Sequence, residues 1–180
     1  LKIVLAAAVV CFAAAVVGTL VSLRHVIRQY TVSTDKMTAG NLRLILISDL
    51  HAMRYGKKQE HLLSEIAALK PDLLLFAGDV LAEDKDRAPA LELLEALGKR
   101  YPCYYVTGNH EYRSDKPDEV RAIVRSYGIT VLCGTSVLCD TACGKIRIAG
   151  IDDLQEAGFD GALAQAETAL KDDDGIFTVF

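Results

Sequence analysis

The 180-residue sequence contains no tryptophan, and only 7% of its residues are aromatic. It has no basic excess either, because 20 Lys and Arg residues stand against 24 Asp and Glu residues and give a formal net charge of −4. A nucleic-acid-binding protein needs a basic surface or aromatic platforms on which bases stack. We therefore expect no nucleic-acid partner.

The five cysteines lack the spacing of a standard zinc site. Cys133, Cys139 and Cys143 follow a C-x5-C-x3-C pattern around an expected hairpin. Cys139 and Cys143 could form a disulfide if the domain lies outside the cytoplasm. Free thiols are the default expectation.

Charged residues are missing from Ile3 to Leu23, a run of 21 residues. A transmembrane helix needs about 20 apolar residues. A cleaved signal peptide is the main alternative, but no small-residue cleavage site follows the run. We predict an uncleaved, single-pass membrane anchor over residues 1–23, a polar connector over 24–40 and a folded domain over 41–180. The side of the membrane stays open.

The folded domain opens with an apolar run, Leu44 to Ile47, that ends abruptly in Ser48, Asp49, Leu50 and His51. Such a run predicts a strand buried on both faces, as in a sheet covered by helices. Ligands of open α/β sheets bind at the carboxyl ends of strands, which is where this Asp and His stand. Carboxylate and imidazole together suit a divalent metal.

The same pattern returns twice. Asp72 to Asp79 reads DLLLFAGD, and Tyr104 to Glu111 reads YYVTGNHE. Each alone is compatible with an ordinary turn. Three strand ends that carry only ligand-type side chains predict a metal site instead. Gly78 and Gly108 would let the backbone approach a ligand closely.

Helical patterns separate these strands, which predicts parallel pairing in an α/β fold. Short strands near Thr130–Leu132, Ser136–Cys139 and Lys145–Gly150 predict a mixed or antiparallel addition. Asp152 and Asp153 either support the site or form a polar turn. A helix over Gly161–Lys171 and a strand from Ile176 complete the expected elements. The predicted helices between the strands span Gln59–Lys70, Pro89–Lys99 and Pro117–Tyr127, with Gly128 closing the last.

The ordered set D-x-H, G-D and G-N-H-E resembles that of the calcineurin-like metallophosphoesterases. The wider segments SDLHAMRYGKKQEHLL, AGDV and GNHEYR are similar to bacterial membrane-anchored members of that superfamily. The resemblance covers roughly Asn41 to Phe180. It implies two sheets packed face to face as a β-sandwich, with helices outside.

The resemblance also implies two divalent metal ions, with Mn, Fe or Zn as candidates. Asp49 and His51 would hold the first ion, Asp79 would bridge both, and Asn109 would hold the second. A bridging anionic oxygen is what two closely spaced cations require. His110 would act on the scissile phosphate, either stabilising charge or protonating the leaving oxygen. Glu111 is expected to orient the loop.

The function implied is hydrolysis of a phosphoester, preferably a phosphodiester, by a metal-activated water. The expected partners are the membrane and a phosphoester substrate, for example a lipid-linked one. One alternative is a nucleotide-sugar pyrophosphatase of lipid A synthesis, although those enzymes typically carry Arg after the Asn that His110 follows here. The other alternative is a non-catalytic scaffold on the same fold.

Both ends of the chain look cut, since the first residue is Leu and the last five, IFTVF, resemble a strand interior. The resemblance implies further histidine ligands downstream, one after the next strand and two in a G-H-x-H motif. We therefore expect this chain to be a fragment that holds the second metal weakly and is inactive alone.

Overall fold

The computed structural model describes residues 9–16, 25–37, 40–82, 86–113, 116–171 and 176–180. The chain forms two compact units, Leu1–Ser33 and Thr34–Phe180. In the first unit, residues 9–16 are helical and residues 25–33 form neither helix nor strand. Every strand that the structure describes belongs to the second unit.

Most of the apolar stretch Ile3–Leu23 lies outside the described residues. Within the part of the chain that the structure describes, no helix combines the length and apolar character that a membrane span needs. The membrane anchor over residues 1–23 therefore stays a prediction.

The first sheet contains four parallel strands, which lie side by side in the order in which they occur along the chain. Helices connect them, as the alternating apolar patterns predict. The strands are β1 (Leu44–Ile47), β2 (Leu73–Ala77), β3 (Cys103–Val106) and β4 (Thr130–Val131). The helices are α1 (Glu60–Leu69), α2 (Ala88–Gly98), α3 (Asn109–Arg113) and α4 (Pro117–Ser126), and a 3-10 turn at Lys57–Gln59 precedes α1.

The second sheet has three strands. β5 (Thr135–Thr141) and β6 (Gly144–Gly150) form an antiparallel hairpin, and β7 (Phe177–Val179) pairs with β6 in parallel. The helix α5 (Leu154–Leu170) lies between β6 and β7 in sequence. The predicted mixed sheet after Ile129 is thus confirmed.

The two sheets share one apolar layer, because alternate residues of each strand point to opposite faces. One face of the first sheet packs against α1, α2 and α4, whose fully buried leucines include Leu93 and Leu94. The other face packs against the second sheet, where Ile146 and Ile148 are buried. The predicted arrangement of two facing sheets with helices outside is confirmed.

Two expectations about the elements are wrong. β1 is not buried on both faces, because it is the edge strand of its sheet and Leu46 is 62% exposed. The expectation of a helix over Gly161–Lys171 alone omits a first segment: α5 begins at Leu154 and is interrupted at Gly158, with φ 70° and ψ 167°, and its second segment ends at Leu170 close to the predicted end. Glycine adopts these angles readily because it has no Cβ atom. The helical spacing of apolar residues is interrupted at Gly158, so the sequence pattern shows only the segment after it.

A buried ion-pair network joins the second sheet to the end of β3. Arg121 of α4 donates to Asp152 at 3.0 Å and to Glu156, and the hydroxyl of Thr107 donates to Asp152 at 3.3 Å. Burial alone would lower the pKa of Arg121, but the hydrogen bond to Glu156 and the nearby acidic charges raise it. Asp152 therefore binds both Arg121 and Thr107 next to the end of β3. Asp153 instead caps α5, since its side chain accepts from the amide of Gln155 at 2.8 Å.

Candidate metal centre

The carboxyl ends of β1, β2 and β3 meet at one edge of the first sheet, because the three strands are parallel neighbours. Asp49 and His51 follow β1, Asp79 follows β2, and Asn109 and His110 follow β3. The sheet thus brings together all five residues that the sequence singles out.

Backbone hydrogen bonds fasten the loop after β1 to the loop after β2. His51 N donates to Asp79 O at 2.9 Å, and Ala52 N donates to Val80 O at 2.9 Å. These bonds lie beyond the paired strands and join the two loops directly. The side chains of the first loop are therefore positioned by the second loop, and His51 Nε2 lies 3.7 Å from Asp49 Oδ1.

Three of the predicted ligands have left-handed backbone conformations. The φ angles are 56° for Asp49, 47° for His51 and 53° for Asp79. For a residue with a Cβ atom this region costs about 1–2 kcal/mol. Such strained residues persist only where the surroundings determine them, and they concentrate at functional sites. Ala52, Lys58, Gln59 and Lys70 share this conformation, so it supports a site at this edge only together with the side chains gathered there.

Gly78 and Gly108 are required by the close approach of two loops. A Cβ atom on Gly78 would lie 2.6 Å from the Cα atom of Gly108, and one on Gly108 would lie 2.6 Å from the amide nitrogen of Asp79. Any side chain at either position would push the loops apart. The glycines therefore serve the contact between the loops, in addition to any approach to a ligand.

Among the described residues, His51, Asp79 and His110 form a group of three side chains that could hold a metal ion. Their ligand atoms all lie within 4.8 Å of one another. The two imidazole rings meet edge to face, with centroids 4.5 Å apart. Asp79 Oδ1 accepts a hydrogen bond from His110 N at 2.9 Å. His110 is thus placed at the centre of the site, and its role beside the predicted ligands stays a prediction.

His110 Nδ1 is buried, and no group in the described part of the chain satisfies it. A buried polar atom without a partner is costly. Its position beside His51 and Asp79 fits a group bound from solvent, either a cation or a phosphate oxygen.

The side-chain amide of Asn109 lies between the carboxylate of Asp79 and the guanidinium of Arg113. One end is 2.9 Å from Asp79 Oδ2, and the other end is 3.3 Å from Arg113 Nη1. Hydrogen bonding alone favours the nitrogen toward Asp79 and the oxygen toward Arg113. A cation beside Asp79 would favour the opposite orientation, because metals bind the amide oxygen. The predicted ligand Asn109 therefore stands where it can contribute an oxygen next to Asp79.

The donor set fits a divalent transition metal. It combines the carboxylates of Asp49 and Asp79, the imidazole of His51 and the amide oxygen of Asn109, which suit Mn, Fe or Zn. The Asp49 side chain is 68% exposed and that of His51 is 31% exposed, so the site opens to solvent on the side of the first loop. The residues present can therefore hold a cation at a position open to solvent.

The carboxylate of Glu111 lies fully buried beneath the site. Oε2 accepts from the amides of Asp79 and Gly108, both at 2.9 Å. Oε1 accepts from the amides of Val80 at 2.9 Å and Leu81 at 3.0 Å. Glu111 thus holds the loop after β2 against the loop after β3, which confirms the expectation that it orients the loop.

Tyr105 completes the environment of this carboxylate. Its hydroxyl donates to Glu111 Oε1 at 2.8 Å from within β3. Burial, and then the charge of Glu111, raise the pKa of Tyr105 well above its ordinary value. The phenol therefore remains a donor over the working pH range. Charge-assisted bonds of this kind offset the cost of burying the carboxylate.

Arg113 lies beside the site although it is not among the residues predicted from the sequence. Its Nη1 lies beside the Asn109 amide, and its Nε donates to Gln155 Oε1 at 3.1 Å. Residues four apart on a helix share a face, and α3 begins at Asn109. The pattern of YYVTGNHE predicts a strand end at GNHE, so it assigns no helical register to the residues that follow.

The chain matches the family model described as calcineurin-like phosphoesterase over residues 42–159. It is 31% identical over 122 residues to the transmembrane protein with metallophosphoesterase domain of Danio rerio, covering 64% of this chain and 28% of that protein. It is 29% identical over 117 residues to the metallophosphoesterase YkoQ of Bacillus subtilis, covering 62% and 43% respectively.

A metallophosphoesterase of Helicobacter pylori is 28% identical over 151 residues, covering 82% of this chain and 39% of the relative. The chain therefore spans less than half the length of each of these relatives. The matched region contains all five predicted site residues and Glu111.

We predict that Glu111→Gln destabilises the domain by about 3 kcal/mol, because the amide group that replaces one oxygen would face backbone donors. Urea unfolding followed by circular dichroism measures this change. Tyr105→Phe removes a single hydrogen bond to this carboxylate, so its cost is expected to be about 1 kcal/mol. A Glu111→Gln protein as stable as the wild type would contradict the role of the buried carboxylate.

Proposed function

The chain belongs to the calcineurin-like phosphoesterase family, and we propose that it serves the metal-dependent hydrolysis of a phosphodiester. The observation that carries this proposal is the convergence of Asp49, His51, Asp79, Asn109 and His110 at three adjacent strand ends. Family membership supports phosphoester hydrolysis as the reaction class. The preference for a phosphodiester over a phosphomonoester rests on the resemblance to membrane-anchored members of the family.

The proposed metal centre holds two divalent ions. Asp49 and His51 would hold the first ion, Asn109 would hold the second, and Asp79 would be shared by both. The 2.9 Å approach between the Asn109 amide and Asp79 Oδ2 supports shared binding by these two side chains. When bound, such ions neutralise phosphate charge and supply a nucleophilic water at neutral pH.

The chain's own residues contribute positioning and charge stabilisation. Asp79 is held at its amide by Glu111 and at Oδ1 by His110 N, so its carboxylate cannot rotate freely. We assign His110 to the phosphate, where it donates a hydrogen bond or protonates the leaving oxygen. Its buried, unsatisfied Nδ1 supports a partner that arrives with the substrate or the metal.

The first ion is proposed to bind more tightly than the second. Asp49, His51 and Asp79 serve the first ion, whereas only Asp79 and Asn109 serve the second. Four donor groups in total are few for a dinuclear site. We therefore propose that this 180-residue chain has one tight metal site and little hydrolytic activity of its own.

The proposed substrate is a lipid-linked or envelope phosphate ester. Two supports are the apolar run Ile3–Leu23 and the Danio rerio relative, whose name describes a transmembrane protein. The run is proposed to act as a single-pass anchor. No basic excess is available to recruit a nucleic acid, so none is proposed as partner.

We predict that Asp79→Asn weakens Mn²⁺ binding by more than about 100-fold, because it removes the bridging charge. Isothermal titration of the 180-residue chain measures this, with one tight site expected for the wild type. Asp140→Asn is the control, since Asp140 lies on β5 with a side chain that is 85% exposed. His110→Ala should retain the tight site and, in the native protein, lower turnover of an aryl phosphodiester. Unchanged Mn²⁺ affinity in Asp79→Asn would refute the metal assignment.

We predict that the native protein stays with membranes after alkaline carbonate washing, because Ile3–Leu23 is long enough to span a bilayer. Removing the residues before Asn41 should release a soluble domain that keeps its Mn²⁺ affinity, since no proposed ligand precedes Asn41. Recovery of the untruncated protein in the wash would argue against the anchor.

A further inference from the structure

We propose that Arg113 and the side-chain nitrogen of Asn109 form a donor pair for a phosphate oxygen of the substrate. The inference rests on the proposed function and assigns a substrate-binding residue to the same site. It comes from the orientation of one amide group and from the charges on either side of it.

The two ends of the Asn109 side-chain amide face groups of opposite hydrogen-bonding character. Asp79 Oδ2, at 2.9 Å, is an acceptor, and Arg113 Nη1, at 3.3 Å, is a donor. Without a cation, the amide satisfies both by placing its nitrogen toward Asp79 and its oxygen toward Arg113. This orientation hides the only atom of Asn109 that a metal can bind.

A cation beside Asp79 reverses the amide, because the oxygen is the ligand atom. The nitrogen of Asn109 then faces Arg113 Nη1, so two donors stand 3.3 Å apart with no acceptor between them. An anionic oxygen that accepts a hydrogen bond from each donor would satisfy both. The phosphate group of the substrate is the anion that the proposed reaction brings to this position.

Arg113 is suited to this role by its surroundings. Its Nε donates to Gln155 Oε1 at 3.1 Å, which orients the guanidinium from the side of α5. Among the described residues, no carboxylate forms an ion pair with it, whereas Arg54 and Arg121 both pair with acids. Arg113 is the last residue of α3, and it is exposed. Its planar guanidinium is well suited to binding phosphate.

The test measures, by isothermal titration, the affinity of inorganic phosphate for the 180-residue chain at Mn²⁺ concentrations high enough to load the weaker site of Asp79 and Asn109 as well. Arg113→Ala should raise the phosphate dissociation constant about tenfold, as expected for the loss of one charge-assisted hydrogen bond. Arg113→Lys, which keeps the charge but not the planar group, should recover part of the loss. Arg125→Ala is the matched control, because Arg125 is an exposed arginine on the neighbouring helix α4.

A separate Mn²⁺ titration without phosphate distinguishes this inference from the proposed function. Arg113→Ala should bind Mn²⁺ at least as tightly as the wild type, since it removes the donor that holds the amide oxygen away from the cation. A wild-type chain that binds no Mn²⁺ would overturn the proposed function itself. With Mn²⁺ bound, a phosphate affinity in Arg113→Ala within twofold of the wild type would overturn the donor pair alone. Lost Mn²⁺ affinity in Arg113→Ala would also overturn it, because Arg113 would then serve the metal site.

Discussion

The hydrogen bonds of the buried Glu111 carboxylate are the interaction on which the metal centre depends. Its two oxygens accept four backbone amides, three from the loop after β2 and one from the loop after β3, and a fifth bond from Tyr105. An isolated buried carboxylate would cost several kcal/mol, so these donors must remain in place for the fold to be stable. The requirement fixes the backbone on both sides of Asp79 and directly before Asn109.

The rest of the site is built outward from this carboxylate. The loop after β1 pairs with the loop after β2 through the amides of His51 and Ala52. The left-handed conformations of Asp49, His51 and Asp79 are thereby held against their intrinsic cost. A site held this rigidly before a ligand arrives is what positioning of a metal and a phosphate requires.

Much of the site was predictable from the sequence, because parallel strands deliver their carboxyl ends to one edge and the ligand-type residues follow directly after the apolar runs. The features that were missed depend on other information. The exposure of Leu46 reflects the place of β1 at the edge of the sheet, which its own residues do not encode. The position of Arg113 beside Asn109 depends on α3, and this helix of five residues is too short to show an apolar period in the sequence. The burial of Asp152 depends on Arg121, a partner 31 positions away.

The central claim is that three strand ends form one metal site around Asp79. The most direct measurement is anomalous diffraction from crystals of the chain grown with Mn²⁺. The account predicts an anomalous peak in contact with the Asp79 carboxylate and His51, with the Asn109 amide turned so that its oxygen faces Asp79. A peak bound only to exposed carboxylates elsewhere, or no peak near Asp79 at saturating Mn²⁺, would contradict it.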